Sequence, residues 1–509
     1  MKTQKYICLI LAVILCAGVL SGCGVIAKRV EYNSFADLQN AGEDVTIGFD
    51  ETLGILESVH ETFPQAQIAY YNEINGYQAI SSGKCDAYIG DGDAMKTAIR
   101  NGLSGVKVLD EPFNTNYVVC AISPSCKIPD FKNRVNEFIA KLKADGTLDD
   151  IYQRWLRDGN YEMPELPVAE DPEYTLTVTT VGSEKPFSFY ENGQLAGSEV
   201  EIAYRLGAEL NAKVIFEVAD WDGMVAGVVR GKYDICISNL YYAPEREGNV
   251  IFSDPYYEAQ LCIMVRDFAD ESGGFFKHVA TGIENTLISG NRWKMMLSGL
   301  GVTMIITLGG FLLANILGAV LCAMAMSRKK GWHAFENAYS KIMQGMPIVV
   351  ALMILYYILF ANLKVSGILI AILGFGITGG AYMAQLFKVS LQCVSRGQKE
   401  AALAMGAGKA KVFREIVLPQ AAIYAMPGYF SQLISMMKET AIVGYIAVMD
   451  LTKASDIVRG ATFDAFTPLI TAAVVYILIA SILIAAMNAI LKSISPKLKK
   501  RVLKGVRVK

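Results

Sequence analysis

The sequence lacks the residue patterns that mark metal sites. Its three histidines are scattered, and none of its ten cysteines forms a C-x-x-C pair, a spacing that zinc and redox sites commonly use. The pairs Cys120/Cys126 and Cys236/Cys262 could form disulfides outside a cell, but buried free thiols are the interpretation we favour. A formal net charge of −2 does not restrict the partners. The sequence therefore predicts no metal site, and nothing in it indicates a nucleic-acid ligand.

The sequence also lacks a phosphate-binding loop. Gly406-Ala407-Gly408-Lys409 looks like the end of such a loop, but no glycine stands five residues before Gly408, and Ala410 replaces the required Ser or Thr. No pairing of a nucleophile with a base indicates an enzyme on this chain. The chain is therefore predicted to bind no cofactor and to leave any use of ATP and magnesium to a partner.

Charge is distributed unevenly along the chain. The 509 residues are 53% hydrophobic, with a mean hydropathy of +0.33, and charged residues become sparse after about Trp293. The length is typical of about two to four domains. The distribution predicts a soluble half followed by a membrane half.

Residues 1–23 have the layout of a secretory signal. Two lysines precede an apolar run at 6–20, which ends in Leu20-Ser21-Gly22-Cys23. The ending resembles a bacterial lipobox, which implies cleavage before Cys23 and a lipid on that cysteine. An uncleaved signal anchor is the alternative. In either case we expect the following residues to lie outside the plasma membrane.

The segment 31–160 alternates predicted strands and helices. Residues 45–49 and 62–71 have the composition of strands, and 130–155 is a long amphipathic helical region with a break at Gly146. This alternation predicts an α/β layer fold. Three prolines and several acids at 161–173 then predict a linker.

Both parts of the soluble half resemble extracellular amino-acid-binding proteins, in which two α/β lobes close on a ligand. Residues 31–160 resemble the second lobe and its closing helices, through SFADL, GKCDAYIGD and VNEFIAKLKADGTLDDIYQRWL. Residues 174–268 resemble the first lobe, through EKPFSFYENGQLAGSEVEIAYRL, DWDGMVAGVVRGKYDICISN, APER and FSDPYY. The resemblance implies a two-lobed binding domain.

The two lobes follow each other in the reverse of the family order. In such folds both chain ends lie in the first lobe, so that a short linker can join them and a new cut can open elsewhere. We therefore predict a circularly permuted domain with its cut near 266–274. Two decayed tandem domains, or a swap of lobes between two copies, are the alternatives.

The resemblance implies an amino-acid site between the lobes. Arg246, in APER, is placed like the family arginine that grips the α-carboxylate with two hydrogen bonds. Asp91 is placed like the acid that holds the α-amine. Since the two residues belong to opposite lobes, a bound ligand would hold the cleft closed.

Further positions of the same site follow from the resemblance. Asn239 and Tyr241 match residues that hydrogen-bond the ligand, and Trp221 matches an aromatic wall of the pocket. Glu184 stands where the family usually has an aromatic residue. Glu184 and Asp50 together favour a cationic or polar amino acid over an acidic one.

Residues 290–495 predict a membrane domain. It begins with NRWKMMLSGLGVTMIITL, which with QGMP and KETAIVGYIAV resembles the permeases of polar amino acids. Five apolar segments are long enough to cross a bilayer, namely 297–326, 341–361, 365–394, 421–448 and 465–491. The third segment is rich in glycine and alanine, which predicts close helix packing. Lys438 and Glu439 lie inside the fourth segment, where a charge is costly and suggests a function. Pairing with each other, or capping a broken helix, is the equally weighted alternative.

Positive charge indicates the orientation of this domain. Basic residues cluster at 328–330, at 396–414 and in the tail that includes 496–509. Five spans that start outside place all three clusters in the cytoplasm, as the positive-inside rule requires. The expected location is the bacterial plasma membrane, with the binding domain outside and the C-terminus inside.

Residues 397–421 form a predicted helical hairpin whose motif indicates a mechanism. Residues 398–405 and 409–418 predict two short helices around a glycine turn, and Pro419 is expected to end the second helix. The second helix has one apolar face, which we expect to need a partner; it consists of Val412, Phe413, Ile416 and Val417. The spacing E-A-A, three residues, G, nine residues, I-x-L-P resembles the coupling loop of ATP-binding cassette (ABC) importer permeases. The matching residues are Glu400, Ala401, Ala402, Gly406, Ile416, Leu418 and Pro419. The resemblance implies that the hairpin docks on a separate ATPase subunit.

Together these features predict a multi-domain chain, with a permuted α/β binding domain followed by an all-α permease of five spans. The implied function is uptake of an amino acid by an ABC importer, in which a partner ATPase hydrolyses ATP and two permease copies pair. A ligand-sensing receptor or ligand-gated channel is the alternative, although no pore loop or cytoplasmic signalling domain is visible in the sequence. An enzyme built on the binding-protein fold is a third possibility.

Overall fold

The computed structural model of the protein describes residues 30–242, 244, 248, 250–268, 280–361, 363, 365–464 and 466–494. The predicted signal 1–23 with Cys23, and the predicted tail 496–509, lie outside the described residues. The chain forms two compact units. Unit A contains Met1–Asn116 and Glu258–Gly273, and unit B contains Tyr117–Tyr257 and Gly274–Lys509.

The strands all lie in the soluble half of the chain, as its composition predicts. In chain order they are β1 (Thr46–Phe49), β2 (Gln67–Tyr70), β3 (Ala87–Asp91), β4 (Val106–Val118), β5 (Ala121–Ile122), β6 (Tyr174–Thr180), β7 (Ser183–Glu184), β8 (Ser188–Glu191), β9 (Gln194–Ala196), β10 (Ala212–Val218), β11 (Ile235–Cys236), β12 (Ile251–Phe252) and β13 (Tyr257–Arg266).

The helices of the soluble half are α1 (Phe35–Ala41), α2 (Leu56–Thr62), α3 (Glu73–Ser81), α4 (Gly92–Arg100), α5 (Phe131–Ala144), α6 (Thr147–Tyr152), α7 (Ser198–Glu209) and α8 (Trp221–Val229). Those of the membrane half are α9 (Arg292–Ala325), α10 (Lys330–Gly345), α11 (Ile348–Ile354), α12 (Gly367–Gln392), α13 (Arg396–Ala404), α14 (Lys409–Val412), α15 (Leu418–Glu439), α16 (Leu451–Thr462) and α17 (Phe466–Ile494).

Unit A is built on a sheet of order β2-β1-β3-β13-β4. The first three strands are parallel, and every residue of β3 is buried, as a strand covered on both faces requires. The fourth strand comes from much later in the chain, and it pairs antiparallel with β3 so that Ile263 faces Ile89. The sheet is therefore completed by residues from the end of the segment predicted as the first lobe, 174–268.

Unit B contains the complementary arrangement, a sheet of order β10-β6-β11-β5-β12. The strands β10, β6 and β11 are parallel. The strand β5, from the N-terminal part of the chain, pairs antiparallel with β11 and β12. Each of the two sheets thus contains a strand from the other predicted segment, and the chain passes between the units at 116–117 and 257–258.

The predicted closing helices pack within unit B. A π-helical turn, Gln153–Arg157, extends α6, and the fully buried Trp155 donates its indole N–H to Glu201 Oε2 on α7 at 2.8 Å. Arg154 and Arg205 neutralise the same buried carboxylate at 2.9 and 2.8 Å. A buried carboxylate with this many donors fixes the helix geometry, because losing one donor would leave charge unpaired in the core.

Three described helices are long and apolar enough to cross a membrane: Ala280–Ala325, Gly367–Gln392 and Phe466–Leu491. A fourth span arises if the bent pair Lys330–Gly345 and Ile348–Leu359 counts as one, with an angle of 102° between its parts. The break lies at Met346-Pro347, inside the segment predicted as one continuous span. The predicted fourth segment forms α15 and a 3₁₀ turn, Thr440–Ile446. The count of five spans stays a prediction.

Glycines let α9 and α12 pack closely, as the glycine-rich third segment predicts. A Cβ at Gly310 would lie 2.9 Å from Phe375 Cβ, and a Cβ at Gly380 would lie 2.9 Å from Leu317 Cβ. A Cβ at Gly376 would collide with the side chain of Leu313. The small residues therefore lie at the helix contact, which confirms this prediction.

Candidate functional site

One candidate cluster lies at an edge of the sheet in unit A. The strands β1, β2 and β3 are parallel neighbours, so their carboxyl ends meet at the same edge, where ligands of open α/β sheets bind. Asp50 directly follows β1, Glu73 follows β2, and Asp91 is the last residue of β3. Three carboxyl groups therefore share this edge.

Asp91 is held in place by the helix that follows it. It is 1% exposed, and its Oδ1 accepts a hydrogen bond from Ala94 N–H at 2.7 Å, which makes it the N-cap of α4. Asp50 is fixed in a similar way, since its Oδ1 accepts hydrogen bonds from the N–H and the hydroxyl of Thr52 at 2.8 and 2.7 Å. Both carboxylates are positioned by backbone geometry.

Glu73 is a site residue that the sequence reasoning missed. Burial raises the pKa of its carboxyl to about 8, and the charges of Asp91 and Asp50 act in the same direction, while a 2.6 Å hydrogen bond from the Tyr77 hydroxyl lowers it. The mutual effect of the three acids places them within electrostatic reach of each other. Its position after the second strand of the predicted α/β pattern was the available signal.

A separate candidate cluster follows the same rule in unit B. Glu184 comes after β6, Trp221 after β10 and Asn239 after β11, and these three strands are parallel neighbours. The Trp221 indole N–H donates to Glu184 Oε1 at 3.3 Å. The Asn239 amide donates to the Tyr241 hydroxyl at 3.5 Å. The structure thus brings the four residues together in two pairs at one sheet edge.

Arg246 lies outside the described residues, as do its neighbours Ala243 and Glu245. Its role at the ligand carboxylate stays a prediction. The described part of the following strand, β12, belongs to the sheet of unit B.

Glu199 is a second residue that the sequence reasoning missed. It is 2% exposed in the first turn of α7, and its Oε1 accepts hydrogen bonds from the Asn239 N–H and, at 2.5 Å, from the Tyr256 hydroxyl. The backbone of Asn239 has a φ of +44°. The glutamate therefore supports a residue of the candidate site in a left-handed conformation.

The pKa of Glu199 should be visible in the stability of the protein. Burial raises it from an ordinary value of 4.5 to about 7, against the lowering effect of both hydrogen bonds. A raised pKa means that the fold favours the protonated acid, so stability is lost as pH rises from 4.5 to about 7. Relative to Glu199→Gln, the wild type is expected to lose roughly 3 kcal/mol of unfolding free energy over this interval.

Denaturant unfolding of the full chain, followed by tryptophan fluorescence, measures this difference. Glu209→Gln is the control, because Glu209 lies on the same helix in an exposed ion pair with Lys141. Parallel pH profiles for the wild type and Glu199→Gln would contradict the expectation.

The coupling hairpin consists of α13, a turn and α14. Gly406 has a φ of +85°, which an L-residue rarely adopts, so glycine is required at this turn. Ala402 is buried, whereas Glu400 and Ala401 are exposed. The E-A-A motif therefore presents two of its three side chains to the surroundings.

The second helix of the hairpin differs from the expectation in two respects. A π-helical turn, Phe413–Val417, carries it directly into α15, so Pro419 lies in the first turn of the next helix, where its missing N–H costs little. The apolar face expected to need a partner is largely covered within the chain. The buried Val412 and Val417 pack with Ala402, Val394 and Ala421, and the partly buried Ile416 packs against them.

The apolar side chains left exposed on the hairpin are therefore a smaller set than predicted. Met405 is 82% exposed at the turn, and Leu403, Phe413 and Leu418 are between 42% and 47% exposed. These residues surround the motif and form the part of the hairpin that a partner could cover.

The membrane half contains a cavity of about 320 Å³ at the bend between α10 and α11. Gln344 and Pro347 line the cavity at the bend. The polar side chains of Thr378, Gln432 and Glu439 line it from other helices. The sequence singled out Glu439 as a costly charge in a membrane segment. Its place at the wall of this cavity gives the charge a candidate role.

Comparison with known proteins finds similarity for two parts of the chain. The profile of the bacterial extracellular solute-binding proteins, family 3, matches residues 176–415. The match begins in β6, and the α/β elements within it end at Arg266. The chain is also 29% identical over 206 residues to the arginine transport system permease protein of Bacillus subtilis, covering 40% of this chain and 92% of the relative.

The chain is therefore similar in one part to the family 3 solute-binding proteins and in another to the permeases of amino-acid ABC transporters. The octopine transport system permease protein of Rhizobium radiobacter is 29% identical over 197 residues, covering 36% of this chain and 83% of the relative. A crystal structure of an amino acid ABC transporter with histidines is 25% identical with a TM-score of 0.38, covering 44% of this chain and 99% of that chain.

Proposed function

We propose that the protein is the substrate-binding and permease subunit of an ABC importer that takes up an amino acid, preferably a cationic one. The observation that carries this proposal is the presence, in one chain, of a solute-binding domain and a permease with an exposed E-A-A hairpin. A receptor or channel would have no use for this hairpin. ATP would be hydrolysed by a separate subunit that docks on 400–419.

The preference for a cation is supported by the carboxyl groups at the sheet edge of unit A. Asp50, Glu73 and Asp91 lie at or just after the ends of three neighbouring parallel strands there. One acid is enough for the α-amine of a ligand, so the others remain for a positively charged side chain. A bound cation would favour the ionised form of Glu73, whose pKa of about 8 reflects burial and like charges.

The exchange of strands supports a permuted binding domain. The strand β13 completes the sheet of unit A, and β5 completes that of unit B, so the two segments form one set of sheets. We propose that 31–160 and 174–268 are the two lobes of one binding domain with Arg246 at the ligand carboxylate. Exchange of lobes between two copies would give the same pairings.

The importer would contain two copies of this permease. It would lie in the bacterial plasma membrane with the binding domain outside and the C-terminus inside, and a lipid on Cys23 would give a second anchor. The polar cavity lined by Gln344, Gln432 and Glu439 would form part of the transport pathway.

A ligand panel tests the proposed substrate class. Purified full-length protein is heated with each of the twenty standard amino acids, ornithine and cystine in turn, and its unfolding temperature is recorded. Arginine, lysine and ornithine are expected to raise it by several degrees, since a ligand that binds only the folded state stabilises it. Uptake of the same compounds into vesicles with the partner ATPase completes the test.

Glu73→Gln separates the cationic preference from binding itself. It removes one carboxyl but keeps a side chain of the same shape beside Tyr77. The shift with arginine should shrink, while any shift with glutamine should persist. If no amino acid stabilises the well-folded protein, the proposed function is rejected.

A further inference from the structure

The first lobe and the permease share a continuous apolar core within unit B. The core includes Met224, Val228 and Tyr233 from the first lobe, and Tyr356, Tyr357, Ile446 and Val448 from the membrane half. Trp221, Val225 and Val229 pack against it. Separating the two parts would expose a contiguous apolar patch on each, which a stable soluble lobe rarely presents.

One tyrosine pair and one close glycine contact join the two parts. The hydroxyls of Tyr233 and Tyr356 hydrogen-bond to each other at 3.2 Å, and the two side chains are 1% and 2% exposed. The Tyr357 hydroxyl donates to the Tyr445 carbonyl at 2.8 Å, directly beside Gly223 of α8. A Cβ at Gly223 would collide with that hydroxyl, so the backbone of α8 approaches the permease as closely as it can.

A third contact is an ion pair between residues 233 positions apart in the chain, Asp220 and Lys453. The Lys453 side chain is 7% exposed and the Asp220 side chain 31% exposed. Gly444 lies close to this pair, because a Cβ added there would be 3.1 Å from Asp220 Oδ2. Removing one partner would leave the other charge largely buried without compensation.

These contacts connect two functional regions through very few residues. Asp220 immediately precedes Trp221, the candidate wall of the ligand site. The turn Thr440–Ile446, which contains Gly444, immediately follows Glu439 of the membrane cavity. Asp220 thus pairs with Lys453 of α16 and lies beside Gly444, in the turn that follows a cavity-lining helix.

We propose that the first lobe is a permanently docked part of the permease. It stays bound through the docking surface, defined as Asp220, Gly223 and Tyr233 against Tyr356, Tyr357 and Lys453, whether or not an amino acid is present. The Asp220–Lys453 pair sets the orientation of the lobe, since the surrounding contacts are apolar and less directional. Only the role of Trp221 in this inference rests on the proposed function.

Cleavage of the connections tests permanent docking. One protease recognition sequence is placed before Val30 and another between Phe268 and Ala280, so that only non-covalent contacts hold 30–268 to the permease. The solubilised full chain is cut and separated by size-exclusion chromatography, without ligand and with millimolar arginine or glutamine. The fragment is expected to co-elute with the permease in all three cases.

Charge exchange tests the ion pair. Asp220→Lys and Lys453→Asp are each expected to weaken retention of the fragment by at least about tenfold. The double exchange restores the pair with reversed sign and should recover most of the retention. Asp456→Lys is the control, because Asp456 is 34% exposed on the same helix and pairs with Arg459 instead.

Three results would overturn the proposal: release of the wild-type fragment, retention that depends on the amino acid, or single exchanges without effect. The double exchange also guards against misfolding, because a general folding defect would not be repaired by a second reversal. Co-elution requires no transport. A wild type that retains the fragment but takes up no amino acid would therefore reject the proposed function and leave the docking intact.

Discussion

Asp91→Asn is expected to weaken binding of the amino acid by at least roughly thirtyfold, because losing one member of a desolvated charge pair commonly costs 2 kcal/mol or more. The proposed partner of Asp91 is the α-amine of the ligand. Asparagine is as good an N-cap as aspartate, so the hydrogen bond from Ala94 N–H to the side chain at residue 91 is kept. The substitution therefore removes the charge and leaves the start of α4 in place.

Isothermal titration of the full chain measures this loss, and Asp86→Asn is the matched control. Asp86 precedes the same strand at its opposite end, where its Oδ2 accepts a hydrogen bond from Thr46 N–H at 2.8 Å. The control should bind the ligand as the wild type does. Equal affinities for Asp91→Asn and the wild type would remove Asp91 from the site.

Gly406→Val is expected to reduce ATP-driven uptake at least tenfold while ligand binding is unchanged. The φ at this turn is +85°. A β-branched residue there would either strain the backbone by roughly 1–2 kcal/mol or change the conformation of the turn. A changed turn would displace Met405 and Glu400 from the surface proposed to contact the ATPase. Interfaces of this kind depend on a few well-placed residues.

The same substitution two residues later provides the control. Gly408 has a φ of −68°, and neither Gly406 nor Gly408 has an atom within 4 Å of an added Cβ. Gly408→Val therefore adds the same bulk without the backbone strain and should retain most of the uptake. Both variants are compared in vesicles with the partner ATPase. If Gly406→Val transports normally, the hairpin is not the coupling element.

The family resemblance singled out Asp91, Trp221 and Asn239, and the structure places each of them at or just after the end of a strand. Glu73 was missed because it matches no family motif and two residues separate it from β2, so its position after a predicted strand was the one available signal. Only the sheet order places it beside Asp50 and Asp91.

The apolar face of the coupling hairpin shows a different limit. Its periodicity correctly indicates a helix with one apolar side, but periodicity does not name the partner of that side. Val412 and Val417 pack against Val394 and Ala421 from neighbouring helices of the same chain. The surface available to another subunit is therefore smaller than the sequence alone implied.

The sequence by itself determined the division into a soluble and a membrane half, the α/β character of the first, and the turn at Gly406. These depend on composition and on short-range periodicity, which are local properties of the chain. Only the tertiary structure decided the exchange of β5 and β13, the 102° bend at Met346-Pro347 and the pairing of Asp220 with Lys453. The strand exchange and the ion pair join residues that are far apart in the chain. They depend on how the folded segments pack together, which local sequence patterns do not specify.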